Sequence, residues 1–98
     1  MLFDIGFTPE ALEDLRLFRK GDRRRIVEAV EAQLSHEPGR ETRNRKRLRP
    51  NRMAEWELRI DRFRVFYDIE DSARLVKIEA VGHKRGNRLF IHGEEYPL

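Results

Sequence analysis

Apolar residues repeat with different periods in the two halves of the chain. Residues 2–7 alternate loosely and predict a strand. Thr8 and Pro9 then form a helix-start signal, because threonine caps helices and proline fits their first turn. From there to residue 34, apolar side chains recur at the three- and four-residue spacing of helices. We predict two helices here, the first ended by Gly21 and the second capped by Asp22.

After residue 53 the period changes to two, which is typical of strands with one buried face. Segments 54–60, 63–69 and 74–82 alternate in this way, and a short apolar run near residue 90 predicts an edge strand. In the third segment the predicted inward residues are Val76, Ile78 and Ala80. The order strand, two helices, antiparallel meander predicts a single α+β domain over residues 1–98, with a helical hairpin packed on a sheet of about four strands.

The register of the first hairpin follows from its apolar residues. A tight turn at residues 61–62 pairs Trp56 with Tyr67 and keeps every inward pair apolar, so both aromatic rings are predicted core residues. The same register sets Arg59 opposite Arg64 on the other face, where like charges destabilise a strand pair by up to roughly 1 kcal/mol. An anion between the two cations, such as a phosphate, would relieve this repulsion.

Further basic residues are expected near the same end of the sheet. Pairing Tyr67 with Ile78 places Arg64 beside Val81, and the predicted cluster comprises Arg59, Arg64, His83, Lys84 and Arg85. Phe66 alternates onto this outward face, where an exposed ring could stack on a base. The other interpretation is a set of surface cations balanced by the acidic residues of the same face.

Charge is concentrated in one segment. The formal net charge is only +3, yet residues 40–52 hold six arginines, one lysine and one glutamate. A local basic patch is typical of a site for a polyanion, whereas the alternative interpretation is a solvated, mobile loop. Pro50 and Asn51 mark the segment as a predicted loop.

Several kinds of site are not expected. The chain has no cysteine, and its three histidines lack the spacing of metal ligands, so we predict no metal and no small-molecule cofactor. No apolar run reaches membrane-spanning length, and the first residues lack the basic leader of a signal peptide. We therefore expect a cytoplasmic protein with no membrane partner.

The local strings, taken in order, resemble the RelE/ParE toxin superfamily over nearly the whole chain. Residues 56–60 (WELRI) and 62–67 (RFRVFY) are similar to the family's W-x-L-R and Y-R-V-x-Y signature. Residues 80–84 (AVGHK) resemble its V-G-H-R strand end, and Lys46 with Leu48 resembles its K-x-L. Residues 8–15 are similar to its opening helix.

The resemblance implies the toxin of a type II toxin–antitoxin module, held inactive by an acidic antitoxin. RelE-like members cut mRNA in the ribosomal A site, and ParE-like members poison DNA gyrase. We expect a ribosome-dependent mRNA endonuclease, with a gyrase inhibitor or a non-catalytic binding relative as the alternatives. In RNA cleavage a ribose 2′-hydroxyl attacks the adjacent phosphate, which requires a base, cations for the developing charge and an acid.

By this resemblance Arg64 would hold the scissile phosphate, and Lys84 would stabilise charge or donate a proton. Arg59 and Arg85 would be supporting cations, and Glu57 or His83 the general base. The expected RNA contacts are Arg43, Arg45, Lys46, Arg47, Arg49, Arg52 and Phe66.

The chain departs from the family pattern at two positions. RelE-like enzymes often end with a tyrosine near the attacking hydroxyl, but Phe90 stands there in this alignment of motifs, and a phenyl ring cannot transfer a proton. Tyr96 could take the role of this tyrosine, but the motifs do not predict where its side chain lies. Lys84 stands where the family usually has arginine.

Overall fold

The computed structural model describes residues 2–97. Strand β1 (Asp4–Phe7) leads into helices α1 (Pro9–Arg16) and α2 (Lys20–Leu34). The remaining elements are β2 (Arg45–Arg47), β3 (Trp56–Ile60), β4 (Phe63–Glu70), a 3-10 turn (Asp71–Ala73), β5 (Leu75–Arg85), β6 (Arg88–Ile91) and β7 (Glu94–Glu95). The predicted α+β class is confirmed. Neither helix has the length and apolar character needed to cross a membrane.

The strands form one sheet in the order β2-β3-β4-β5-β6-β7, and β1 joins it by pairing in parallel with β5. The sheet therefore has seven strands, more than the expected number of about four. Strand β6 is the one predicted near residue 90. The additional strands are β1, which pairs with β5, β2, from the basic segment that was predicted as loop, and β7, in the tail.

The two helices begin and end differently from the prediction, although the first cap is confirmed. The Thr8 side chain accepts a hydrogen bond from the Ala11 amide at 3.1 Å. However, α1 ends at Arg16 and α2 begins at Lys20, so Gly21 and Asp22 lie in the first turn of α2 and do not separate the helices. The Asp22 carboxylate instead accepts from Arg62 of the β3–β4 turn at 3.2 Å, which ties α2 to the hairpin.

A main core fills the space between the helices and one face of the sheet. Ile26, Val30 and Leu34 of α2 pack against apolar residues of β3, β4 and β5. Trp56 and Tyr67 are buried in this core as predicted, with their rings stacked at a centroid distance of 6.1 Å. Each fully buried large apolar side chain stabilises the fold by roughly 1.5–3 kcal/mol, so this layer holds the helices on the sheet.

A second, smaller core covers the opposite face of the sheet, and it overturns the expected exposure of Phe66. The Phe66 side chain is 0% exposed and packs with Ala54, Ala80 and Leu89. The basic segment and the tail fold over it, contributing Leu48, Met53 and Tyr96 at its margin. Phe66 is therefore a core residue and cannot stack on a nucleic-acid base.

The predicted register of the first hairpin is confirmed, with Trp56 opposite Tyr67 and Arg59 opposite Arg64. Between β4 and β5, however, the register shifts: Tyr67 pairs with Ile78 but Phe66 pairs with Ala80. The extra residue of this bulge is Glu79, and it reverses the inward and outward alternation beyond it.

The bulge corrects two predictions. Ala80 lies in the second core, and Val81 takes the inward position in the main core. Arg64 lies opposite Gly82, one residue beyond the predicted Val81. Gly82 is needed here because a Cβ atom would overlap the Phe90 carbonyl oxygen of β6.

Candidate functional site

A groove of about 860 Å³ lies on the face of the sheet away from the helices. Its walls come from the basic segment, β3, the β5–β6 hairpin and the residues after β7. Six cations line it, against two carboxylates: Lys46, Arg47, Arg49, Arg59, Lys84 and Arg88, with Glu57 and Glu95. A concave surface with this excess of positive charge concentrates anions such as a nucleic-acid backbone.

The basic segment forms one wall because it is attached to the sheet. Strand β2 pairs with β3 so that Lys46 lies opposite Glu57. Beyond β2, the Asn51 side chain accepts from the Met53 amide at 2.6 Å and donates to the Arg49 carbonyl at 2.7 Å. The segment is therefore held by backbone pairing and side-chain hydrogen bonds, unlike the loop that the sequence predicts.

Arg45 does not face the groove, contrary to its expected role in RNA binding. Its Nη1 atom donates to the carbonyl oxygens of Gln33 and Glu37, at 2.8 and 3.1 Å, where helix α2 ends. A cation at this end of a helix satisfies free carbonyl groups and complements the helix dipole. Arg45 is a structural residue that joins β2 to α2.

The other expected RNA contacts divide between the groove and its surroundings. Lys46, Arg47 and Arg49 line the groove. Arg52 lines a neighbouring depression of about 400 Å³ together with Glu55 and Asp68. Arg43 is exposed and does not line the groove.

Arg64 lies beneath the groove surface, paired with a carboxylate of the adjacent strand. Its side chain is 8% exposed, and its Nε atom lies 3.5 Å from Oε2 of Glu57. Its Nη1 atom donates to the carbonyl oxygens of Asp61 and Phe63 at 2.6 and 2.9 Å. Glu57 thus supplies the anion that the facing pair of Arg59 and Arg64 was expected to require.

The charge balance at Arg64 leaves one donor group without a hydrogen bond. Its Nε atom is buried and has no hydrogen-bond partner among the described residues. Burial lowers the pKa of Arg64, and the neighbouring Glu57 carboxylate opposes that effect. The Glu57 carboxylate, 3.5 Å away, is therefore the charge that balances this buried atom.

A tyrosine also lines the groove, but not at the position that the motif comparison suggested. Phe90 lies on the helix side of the sheet, stacked on His83 at a centroid distance of 5.4 Å. Tyr96 follows β7, and its amide donates to the Leu89 carbonyl at 2.8 Å. Its side chain packs on the second core and lines the groove with Lys84. The two-residue strand that directs Tyr96 there has no periodic signal in the sequence.

His83 and Arg85 do not join the predicted cluster, because the bulge turns them to the other face. His83 packs edge-on against Phe18 and lines a separate cavity of about 370 Å³ on the helix side. Burial, together with Arg62 and Arg85, lowers the pKa of His83 and favours its neutral form. Glu57, Arg59 and Lys84 are thus brought together above Arg64, while His83 and Arg85 are excluded.

No group of three or more His, Cys, Asp or Glu side chains within residues 2–97 is arranged to hold a metal ion. The groove offers cations, two carboxylates and a phenol as its chemical groups. The cations can bind a phosphodiester, and the carboxylates and the phenol can exchange a proton with a nearby hydroxyl group.

Comparison with known proteins shows the same fold in other chains. In the RelBE2 toxin–antitoxin complex from Mycobacterium tuberculosis, one chain matches with a TM-score of 0.75 and 28% identity, over 86% of this chain and 93% of that one. A chain of the RelE–RelB complex from Pyrococcus horikoshii shares the fold, with a TM-score of 0.67 and 22% identity over 89% and 99% of the two chains. A search of curated proteins finds no match.

A sequence-family model gives the assignment. The model of the ParE toxin of the type II toxin–antitoxin system parDE matches residues 5–88, which covers most of the described chain. The match includes both helices, the first hairpin and the whole of β5. The chain therefore belongs to the ParE toxin family of type II toxin–antitoxin systems, within the RelE/ParE superfamily.

Proposed function

We propose that this toxin cleaves mRNA in the ribosomal A site and so inhibits translation. The observation that carries the proposal is the groove in which the Tyr96 side chain lies with Arg59 and Lys84 on one surface. A site that only binds a partner needs no group able to transfer a proton. A phosphodiester cleavage site needs such a group beside its cations.

The reaction would use the RNA's own 2′-hydroxyl as nucleophile. This hydroxyl loses its proton as its oxygen bonds to phosphorus, and the 5′-oxygen leaves with a proton, which produces a cyclic phosphate and a free 5′-hydroxyl. Arg59 and Lys84 would contact the phosphate oxygens, where negative charge develops. Arg64 would add its positive charge from below the surface, where it is paired with Glu57.

Proton transfer is assigned to Tyr96 and, as a second candidate, Glu57. The Glu57 carboxylate lies 3.5 Å from Arg64 and also lines the groove. Tyr96 carries its proton on a phenol that is able to serve as either acid or base. His83 and Arg85 have no part in this proposal because they lie on the other face.

The remaining groove cations would hold the RNA strand. Lys46, Arg47, Arg49 and Arg88 extend from the reacting centre along both walls. Contacts of this kind to phosphate groups make affinity strongly dependent on salt and independent of base sequence. These side chains would therefore not select a base sequence. The site of cleavage would be set by the codon that the ribosome holds in its A site.

An acidic antitoxin is the proposed protein partner. The similar chains from Mycobacterium tuberculosis and Pyrococcus horikoshii were both solved in toxin–antitoxin complexes. A flexible acidic segment that folds on binding would neutralise the groove cations and block RNA. Co-purification with an acidic protein encoded by a neighbouring gene would support this partner, and a toxin that is always isolated alone would contradict it.

DNA gyrase is the second candidate target, because the matching family model is that of ParE. A gyrase inhibitor acts by binding and would not depend on a phenol in the groove. The two candidates are therefore separated by the chemistry of the groove residues, not by the fold that they share.

Two neighbouring residues of β5 provide a matched test. Lys84 lines the groove and Arg85 does not, so Lys84→Ala and Arg85→Ala remove equal charge from opposite faces of one strand. We expect Lys84→Ala to lower the rate of mRNA cleavage by roughly 100- to 1000-fold, because it removes a group that stabilises the developing charge. Arg85→Ala is expected to cleave like the unaltered toxin.

The readout is cell-free translation with mapping of message ends, alongside a gyrase supercoiling assay. Equal losses in the two variants would contradict the assignment of the groove as the reacting site. If messages stay intact and DNA supercoiling is altered, the target is gyrase and not the ribosome.

A further inference from the structure

Strand β5 has a gap between its neighbours on the edge away from β4. Strand β1 pairs with residues 75–78 and β6 pairs with residues 82–85. Residues 79–81 consequently have no strand beside them on this edge, and their backbone groups require other partners. The gap lies next to the bulge that redirects β5 toward the groove.

The start of α1 fills this gap. The Thr8 hydroxyl donates to the Glu79 carbonyl at 3.3 Å, and the Val81 amide donates to Oδ2 of Asp14 at 2.9 Å. Asp14 is only 1% exposed, although an isolated carboxylate is unfavourable in such a place. Its other oxygen, Oδ1, contacts Nδ1 of His92.

The Asp14–His92 contact links two distant parts of the chain. Burial raises the pKa of Asp14, and its hydrogen bond from Val81 and the contact with His92 oppose that effect. The carboxylate thus has a partner for each oxygen: the backbone of β5 and a side chain after β6. Neither partner belongs to the groove, and the reaction proposed above does not use them.

His92 lies at the turn that directs Tyr96 into the groove. Both His92 and Gly93 have positive φ, 58° and 78°, and they join β6 to β7. Strand β7 contains two exposed residues, and Tyr96 follows immediately. The exposed ion pair between Arg88 and Glu95 adds little because water screens it. The contact with the buried Asp14 carboxylate therefore adds a side-chain anchor to the backbone pairing of β6 with β7.

We propose that the Asp14–His92 pair is a positioning device that holds Tyr96 in the groove from the opposite face of the sheet. Its effect on cleavage rests on the function proposed above, whereas its effect on the position of Tyr96 does not. When the pair is broken, the β6–β7 turn loosens and the phenol leaves its place. Arg59 and Lys84 stay in place because they belong to β3 and β5.

A matched pair of substitutions at His92 isolates the contact. Asparagine and aspartate have the same shape, and both tolerate positive φ better than other non-glycine residues. The asparagine nitrogen is attached to Cγ, as Nδ1 is in histidine, so His92→Asn keeps a donor facing Asp14. His92→Asp instead places a second carboxylate against a buried one. His36→Ala, a change to an exposed side chain outside both cavities, is the control.

Hydrogen exchange of the Tyr96 amide measures position without relying on activity, since this amide bonds to the Leu89 carbonyl. We expect His92→Asp to speed this exchange by about tenfold to a hundredfold, the usual worth of a hydrogen bond to a charged group. His92→Asn and His36→Ala should exchange like the unaltered protein. The Val65 amide in the centre of the sheet should not change in any of them.

Single-turnover cleavage of ribosome-bound message by saturating toxin supplies the second readout. His92→Asp should lower the cleavage rate while the dissociation constant of the toxin from the ribosome–message complex stays the same. His92→Asn should cleave at the rate of the unaltered toxin. Unchanged exchange at Tyr96 in His92→Asp overturns the proposal, and so does an equal increase at Val65, which indicates general destabilisation. If exchange responds as expected but the unaltered toxin does not cut RNA, positioning is supported and the proposed function fails.

Discussion

Tyr96→Phe is expected to lower RNA cleavage by about 100- to 10,000-fold, the range associated with loss of a general acid or base. The aromatic ring packs on the second core, and phenylalanine preserves that packing while removing only the hydroxyl. Affinity for RNA should be unchanged, because the cations that line the groove remain. The measurement is single-turnover cleavage of ribosome-bound message, together with toxin binding to the same complex at one fixed salt concentration.

Tyr67→Phe is the matched control for the removal of a phenol. The Tyr67 hydroxyl donates to the Pro38 carbonyl at 2.9 Å in the main core, and burial raises its pKa so that it stays protonated. Its loss should reduce the free energy of unfolding by roughly 1–3 kcal/mol but leave cleavage intact below the unfolding temperature. Full activity in Tyr96→Phe would show that the phenol is not the proton-transfer group.

Arg64→Met is expected to reduce the free energy of unfolding by about 3–5 kcal/mol, because it leaves the Glu57 carboxylate buried without its partner. The carbonyl oxygens of Asp61 and Phe63 lose a donor at the same time. A domain of this size has a total stability of roughly 5–15 kcal/mol, so the effect is large. Urea unfolding at constant pH and salt measures it.

Arg59→Met is the control, since Arg59 faces Arg64 but is exposed. Removing one of two facing cations should leave stability unchanged or slightly improved. In the Arg64→Met background, Glu57→Gln should recover part of the lost stability, because the uncompensated charge is then absent. Equal stability of Arg64→Met and the unaltered protein would refute the structural role of the pair. In that case the role left for Arg64 would be phosphate binding, with no contribution to stability.

The hairpin that carries Arg59 and Arg64 could be predicted from sequence because one physical constraint dominates it. Strict alternation leaves a single register in which Trp56 meets Tyr67 and no apolar residue is exposed on the core side. The first helix was predictable for a similar reason, since Thr8 and Pro9 act locally. Both features depend on residues that are close in sequence: the cap on its immediate neighbours, and the hairpin on two strands joined by a short turn.

The face of the sheet away from the helices was less predictable, because distant segments cover it. Phe66 alternates as an exposed residue would, yet Leu48 and Leu89 close over it. The bulge at Glu79 leaves no mark in the sequence, yet it decides that Lys84 faces the groove and His83 the helices. Tyr96 reaches the groove by way of a turn that Asp14 anchors across 78 residues. Contacts of this range are not encoded in any local pattern.

The central claim is that the groove cleaves RNA, and mapping of message ends on translating ribosomes tests it most directly. The purified toxin is added to a translation reaction, and the 5′ ends of the message are located by primer extension, with a gyrase supercoiling assay in parallel. We predict new ends at the codon in the A site, absent with Tyr96→Phe, and unaltered supercoiling. Intact messages combined with inhibited gyrase would contradict the account.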